Sequence, residues 1–107
     1  MEPDHTGAIG LLRRLFPEAV FVASAKAKAM LASFYGLTEN VQVVADGEEV
    51  DLGGKALRFV MVPLVHWPET MVTYEVTERV AFTCDAFGGF GALRGAIFDD
   101  EYEDMGF

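Results

Sequence analysis

The sequence is poor in cysteine, in basic residues and in long apolar runs. Its single cysteine, Cys84, excludes an internal disulfide framework and a cysteine-rich zinc site, and favours a cytoplasmic location. Only 8 lysines and arginines oppose 17 acidic residues, for a net charge of −9. This balance argues against nucleic-acid binding, which needs a basic surface. No apolar run approaches the roughly 20 residues of a membrane span. These absences therefore predict a cytoplasmic protein that binds neither nucleic acid nor a membrane.

Apolar residues are abundant enough to form one small core. They make up 51% of the 107 residues, a length that suits one domain and not two. The acidic cluster between Asp99 and Asp104 is interpreted as a solvated or helix-starting segment. The sequence shows no internal repeat and no linker, so we predict a single domain over residues 1–107.

The first 40 residues follow a helix–strand–helix pattern. Pro17 is expected to end the first helix, with Thr6 as its N-cap. Ser24 is a good N-cap for the second helix and Gly36 a good C-cap. The predicted elements are a helix at Thr6–Phe16, a strand at Ala19–Ala23 and a helix at Ala25–Tyr35.

From Val41 onward the pattern is typical of strands. Asp46-Gly47 between two apolar runs predicts a hairpin, and the whole region reads as a meander of about five strands covered on one face by the helices. The predicted class is α+β with α/β-like layering. The predicted strands are Val41–Ala45, Glu48–Leu52, Ala56–Val62, Met71–Val76 and Val80–Cys84.

Five polar residues are candidates for chemistry: Glu2, Asp4, His5, His66 and Asp85. Carboxylates and imidazoles without thiolates suit iron, manganese or zinc. Three carboxylates in one pocket repel each other unless a cation neutralises them, so a metal would explain their clustering. The other interpretation is a frayed polar start of the chain and an ordinary loop histidine.

The remaining candidates are interpreted as structural. Cys84, placed in a strand, should face away from Asp85 and toward the core or the opposite layer, and no histidine is expected to activate its thiol. Trp67, Phe87 and Phe90 are core residues or, beside a metal, a dry wall. The glycines at 88–91 lack the lysine of a phosphate-binding loop.

Several motifs together resemble the flavodiiron proteins (A-type flavoproteins), and the match covers nearly the whole chain. The resemblance is to the metallo-β-lactamase-like half of that family. The motifs His66–Met71 and Thr83–Gly88 form a specific pair, much stronger than a generic metal pattern. The matching segments are Glu2-Pro3-Asp4-His5-Thr6-Gly7, Pro17-Glu18-Ala19, Ser24-Ala25-Lys26-Ala27, His66-Trp67-Pro68-Glu69-Thr70-Met71 and Phe82-Thr83-Cys84-Asp85-Ala86-Phe87-Gly88.

The resemblance implies part of an αββα sandwich that holds two iron ions. Glu2 and His66 would ligate one iron, Asp4 would ligate the other, and Asp85 would bridge them. The role of His5 stays open. Two further histidine ligands of the family would lie before Met1 and beyond Phe107, so metal binding by residues 1–107 alone is expected to be weak or incomplete.

The resemblance also implies a function: reduction of dioxygen to water or of nitric oxide to nitrous oxide. The flavin mononucleotide (FMN) that supplies electrons would sit in a flavodoxin-like domain outside residues 1–107 or in a partner, with Trp67 near the flavin. A homo-oligomer is expected, formed through an exposed apolar sheet face that consists of the alternating residues of Val41–Ala45, Ala56–Val62 and Met71–Val76. A diiron oxygen sensor, a zinc hydrolase and a metal-free fragment without activity are the alternatives.

Overall fold

The structure, a computed structural model, describes residues 2–88. The predictions for Phe90 and for the acidic segment at 99–104 lie outside the described residues. A short 3₁₀ turn opens the chain, followed by two helices and six strands. The elements are the turn Pro3–His5, α1 (Ile9–Leu15), β1 (Phe21–Ala23), α2 (Ala25–Tyr35), β2 (Val41–Val43), β3 (Glu49–Asp51), β4 (Ala56–Met61), β5 (Met71–Glu75) and β6 (Val80–Phe82).

Helix α2 has the boundaries that its capping residues predict. The Ser24 Oγ accepts a hydrogen bond from the Ala27 N–H at 3.1 Å. Gly36 ends the helix with a φ of 63°, a left-handed conformation that glycine adopts at low cost. The helix packs on β1 and β2. The buried apolar cluster between these elements consists of Ala23, Ala27, Leu31 and Leu37.

The predicted hairpin between residues 41–45 and 48–52 is wrong. Strand β2 pairs in parallel with β1, with Phe21 opposite Val41, and β3 belongs to a different sheet. The Asp46 carboxylate accepts a hydrogen bond from the Met61 N–H at 2.8 Å, and the Gly47 N–H donates to the Phe59 carbonyl at 2.7 Å. The Asp-Gly turn therefore leads the chain from one sheet to the other.

The second sheet contains four of the five predicted strands, in the antiparallel order β3-β4-β5-β6. In β4 the buried Phe59 alternates with the exposed Arg58 and Val60, as a half-buried strand requires. The layered α+β class is thus confirmed. The expectation that the helices cover this meander is corrected, because α2 lies on the parallel pair β1–β2 instead.

Helix α1 is shorter than predicted. It begins at Ile9 because the Thr6 hydroxyl is engaged elsewhere: its oxygen lies 3.1 Å from the Pro3 carbonyl and 2.6 Å from the Tyr35 hydroxyl. Thr6 is therefore not the N-cap. Among residues 2–88, no helix combines the length and the apolar character that crossing a membrane requires.

Candidate metal centre

Three segments that are distant in sequence converge at one end of the fold. They are the opening turn with Asp4 and His5, the loop after β4 with His66, and the turn after β6 with Asp85. The Oδ2 atom of Asp85 lies 3.0 Å from the Nε2 atom of His5 and 3.2 Å from the Nε2 atom of His66. One carboxylate oxygen thus faces two imidazole nitrogens.

The candidate ligands form two overlapping groups that share Asp85. In the first, donor atoms of Glu2, His5, Cys84 and Asp85 all lie within 4.8 Å of one another. In the second, the same is true of Asp4, His66 and Asp85. The structure therefore brings together all five candidates named from the sequence. Glu2 and His66 do not share a group, so their assignment to one iron remains a prediction.

Glu2 is the one buried ligand candidate, with 3% of its surface exposed. Its Oε1 atom accepts a hydrogen bond from the Thr70 hydroxyl at 3.2 Å. Its Oε2 atom has no hydrogen-bond partner of ordinary geometry within residues 2–88. A buried carboxylate oxygen without a partner is costly unless a cation neutralises it. This feature fits a metal ion at the first donor group.

Thr70 connects Glu2 to the loop that carries His66, a role that the sequence analysis did not predict. Its Oγ1 atom lies 3.2 Å from Glu2 and 2.9 Å from the Trp67 carbonyl oxygen, next to His66. The Ser24 hydroxyl donates to the Glu69 carbonyl at 2.9 Å, which fastens the same loop to the start of α2. The sequence signal was present, since Thr70 lies inside the motif His66–Met71, but its two acceptors come from different segments.

Cys84 does not lie in a strand facing the core, as the sequence predicted. Strand β6 ends at Phe82, and Cys84 is an exposed residue in the following turn with a φ of 51°. Its sulfur belongs to the donor group that includes His5. That no histidine activates the thiol stays a prediction. Partial burial of the sulfur, and then the Glu2 carboxylate, raise the pKa of the Cys84 thiol to about 11. Such a thiol is a poor nucleophile in the metal-free protein.

The two aromatic residues near the candidate site, Trp67 and Phe87, differ in their burial. The ring of Trp67 is half-buried, 6.2 Å from the ring of His66 at an angle of 54°, and its Nε1 atom is buried with no hydrogen-bond partner in residues 2–88. Phe87 is 93% exposed, so the expectation that it belongs to the core or forms a dry wall is corrected. The turn that places Asp85 leaves the Phe87 side chain in solvent.

Known proteins with the same pattern identify the fold. The chain matches the ODP family beta lactamase model over residues 1–105. It is 38% identical to the Type A flavoprotein fprA of Rhodobacter capsulatus, across 100% of this chain and 25% of that protein. It is 39% identical to the coenzyme F420H(2) oxidase of Methanothermobacter marburgensis, across 82% of this chain and 22% of that protein. A solved structure of a flavo-diiron protein mutant from Thermotoga maritima aligns with a TM-score of 0.75 at 43% identity, covering 95% of this chain and 24% of that one.

The layered sheets define a metallo-β-lactamase-like domain, and its carboxylate–histidine cluster offers donor atoms of the kind that bind a metal ion. The chain belongs to the ODP family of β-lactamase-like domains, and the resemblance to flavodiiron proteins is confirmed. It spans about a quarter of the length of the curated relatives that it matches.

Proposed function

We propose that this chain supplies Glu2, Asp4, His66 and Asp85 as ligands of a diiron centre, with His5 as a further candidate ligand. The centre would belong to a flavodiiron oxidoreductase that reduces dioxygen to water or nitric oxide to nitrous oxide. The observation that carries the proposal is the Asp85 carboxylate, which belongs to both donor groups, as a bridging ligand must. The family relationship supports the choice of iron.

The residues of the chain fit two cations better than none. Glu2 contributes a buried oxygen without a hydrogen bond, and Asp85 contributes a carboxylate shared by two groups. Two iron ions, when bound, supply redox chemistry and a clamp for both atoms of a diatomic gas. His66 must present an unprotonated Nε2 atom to bind a cation.

The electron supply is proposed to come from FMN in a flavodoxin-like domain, outside residues 1–107 or in a partner subunit. Full reduction of dioxygen needs more electrons than two ferrous ions can give, so a further cofactor must deliver the rest. Trp67, half-buried beside His66, is the residue that we place near this flavin. Residues 1–107 would form a single partial domain of a cytoplasmic homo-oligomer, with no flavodoxin-like part of their own.

Gas consumption under a continuous electron supply tests this function. The iron-loaded chain should consume little dioxygen or nitric oxide alone, and should do so steadily once a flavodoxin-like electron donor is added. Asp85→Asn and His66→Ala should abolish the restored activity by removing a shared or a single ligand. Glu39→Gln, an exposed carboxylate paired with Arg13, is the matched control and should keep it.

Two results would contradict the proposal. One is steady consumption by the chain without any flavoprotein, above the rate of free iron. The other is full activity of Asp85→Asn in the complemented system. Elemental analysis after dialysis should accompany the gas-consumption measurements. Two tightly held iron ions per chain would overturn the separate expectation that metal binding is incomplete.

A further inference from the structure

The opening turn, Pro3–His5, carries two of the candidate ligands but has no buried residue. The side chains of Asp4 and His5 are 55% and 44% exposed. A short exposed turn gains little from packing, so its position depends on the hydrogen bonds that tie it to the rest of the fold. What holds this turn therefore decides whether its two ligands stay at the candidate metal centre.

We infer that Tyr35 is a positioning residue of this centre: its hydroxyl, through that of Thr6, holds the turn that presents Asp4 and His5. Tyr35 is not one of the donors in either group. The inference rests on the proposed diiron centre and deepens it, because it assigns control of metal binding to a residue in a different element, α2.

The two hydroxyls form a hydrogen-bond chain with a defined direction. The Oγ1 atom of Thr6 donates to the Pro3 carbonyl oxygen at 3.1 Å, and a carbonyl can only accept. The hydroxyl oxygen of Tyr35 lies 2.6 Å from the same Oγ1 atom. A threonine hydroxyl has one proton, and here that proton points to Pro3, so Tyr35 is the donor to Thr6. The chain of donors thus ends on the first residue of the turn.

Tyr35 acts from a firm base, since it is the last residue of α2. This helix is capped by Ser24 at its start and by Gly36 at its end. At its start, Ser24 also donates to the Glu69 carbonyl and so fastens the loop that carries His66. One helix therefore holds, at its two ends, two of the three segments that converge at the site.

The turn matters for both donor groups at once. His5 belongs to the group with Glu2, whereas Asp4 belongs to the group with His66. Thr70, by contrast, contacts Glu2, a donor of the first group only. Loosening the opening turn should therefore weaken the binding of both metal ions, which distinguishes a Tyr35 variant from a variant at Thr70.

Cobalt(II) titration of the 107-residue chain tests the inference, because the visible bands of bound cobalt report ligand geometry and not stability. Tyr35→Phe should weaken both binding steps by about 3–10-fold, less than the 10–100-fold typical of a group that touches a ligand directly. It should also change the shape of the cobalt bands. Tyr74→Phe removes a phenol hydroxyl from β5, away from both donor groups, and should keep affinity and bands.

A double-mutant cycle with Thr6 separates positioning from a general loss of stability. Thr6→Val removes the acceptor of the Tyr35 hydroxyl, so Tyr35→Phe should have no further effect on cobalt binding in that background. Thr6→Ser keeps the hydroxyl and should retain both the native affinity and the full effect of Tyr35→Phe. Cobalt affinity and band shape are the quantities compared across the cycle.

Three results would overturn the inference. Native affinity and bands in Tyr35→Phe, or additive effects of Tyr35→Phe and Thr6→Val, would do so while leaving the metal centre intact. Absence of bound cobalt in the native sequence would overturn the inference together with the proposed diiron centre. If the cycle behaves as expected but the complemented chain consumes no gas, the proposed function fails and the role of Tyr35 in metal binding stands.

Discussion

At the scale of single residues, one hydroxyl connects two ligand-bearing segments. Thr70 lies within hydrogen-bond distance of the Glu2 carboxylate and of the Trp67 carbonyl, and only 3% of its surface is exposed. A hydroxyl has one proton, so it donates to one of these two acceptors at a time. Its position between them keeps the Glu2 and Trp67 segments together. Residues that orient metal ligands in this way are often as important for affinity as the ligands themselves.

Replacing this hydroxyl by a methyl group should weaken both stability and metal binding. Thr70→Val should lower the free energy of unfolding by about 1–3 kcal/mol, because it removes the hydrogen bond of a buried carboxylate, and metal affinity by about 10–100-fold. Urea unfolding and competition with a metal chelator measure the two effects. Thr70→Ser keeps the hydroxyl and should restore most of both. Equal behaviour of the valine and serine variants would show that the hydroxyl has no such role.

Glu75 offers a pH test away from the metal centre. Hydrogen bonds from the backbone N–H groups of Glu78, at 2.6 Å, and Thr77, at 3.0 Å, lower the pKa of Glu75 from its ordinary value of 4.5. Its stabilising effect is therefore complete above pH 4.5 and is lost as the pH falls through the lower folded-state pKa. Glu75→Gln should be less stable than the native chain at neutral pH, and the difference should shrink in acid. Thermal unfolding across pH 2–7 would show this, and a constant difference would contradict it.

At the scale of elements, α2 connects the core to the candidate metal centre. Its N-cap, Ser24, accepts from the Ala27 N–H and donates to the Glu69 carbonyl, next to Thr70. The same side chain thus begins the helix and holds the loop whose threonine contacts Glu2. A change at the helix terminus should therefore be felt at the ligands.

Ser24→Ala should lower the free energy of unfolding by about 0.5–2 kcal/mol through the lost cap. It should also weaken metal binding, because the Glu69–Thr70 segment loses its attachment to α2. Ser33→Ala, an exposed position in the same helix, is the control and should change neither quantity. Chemical unfolding measures the change in stability, and competition with a metal chelator measures the change in metal affinity. Unchanged metal affinity in Ser24→Ala would show that the start of α2 does not influence metal binding.

At the scale of the whole molecule, the sheet face that was predicted to form an interface exposes few large apolar residues. Of the three strands proposed to form an interface, only Val43 and Val60 are large apolar residues with high exposure. Around α1 the exposure is greater, reaching 61% for Leu15 and 58% for Phe16. No residue of α1 is buried. Apolar surface of this kind marks interaction sites.

Self-association therefore stays a prediction, with α1 as the expected contact. The chain should form dimers or larger species at high concentration, and Leu15→Gln should shift the equilibrium toward the monomer by removing apolar contact area. Arg14→Lys alters the neighbouring position while keeping its charge and an aliphatic stem, and serves as the control. Light scattering over a concentration series measures the mass. A clean monomer at the highest concentration would refute the prediction.

The sequence by itself determined the local features of this protein. Helix α2 with its caps, the strands of the antiparallel sheet and the five oxygen and nitrogen donors all follow from short-range patterns, because capping, alternation and motifs act within a few residues. The extent of α1 was overestimated, since Thr6 uses its hydroxyl in the preceding turn.

Only the tertiary structure decided what depends on distant partners. The parallel pairing of Val41 with Phe21 overrode a plausible Asp-Gly hairpin, because a long-range strand pairing leaves no local signal. The left-handed turn at Cys84 moved its thiol from the expected core to the donor group. The hydroxyl of Thr70 acquired its role only when the start of the chain, 68 residues away, folded against it. In each case the deciding contact joins segments whose proximity is set by the packing of the whole fold.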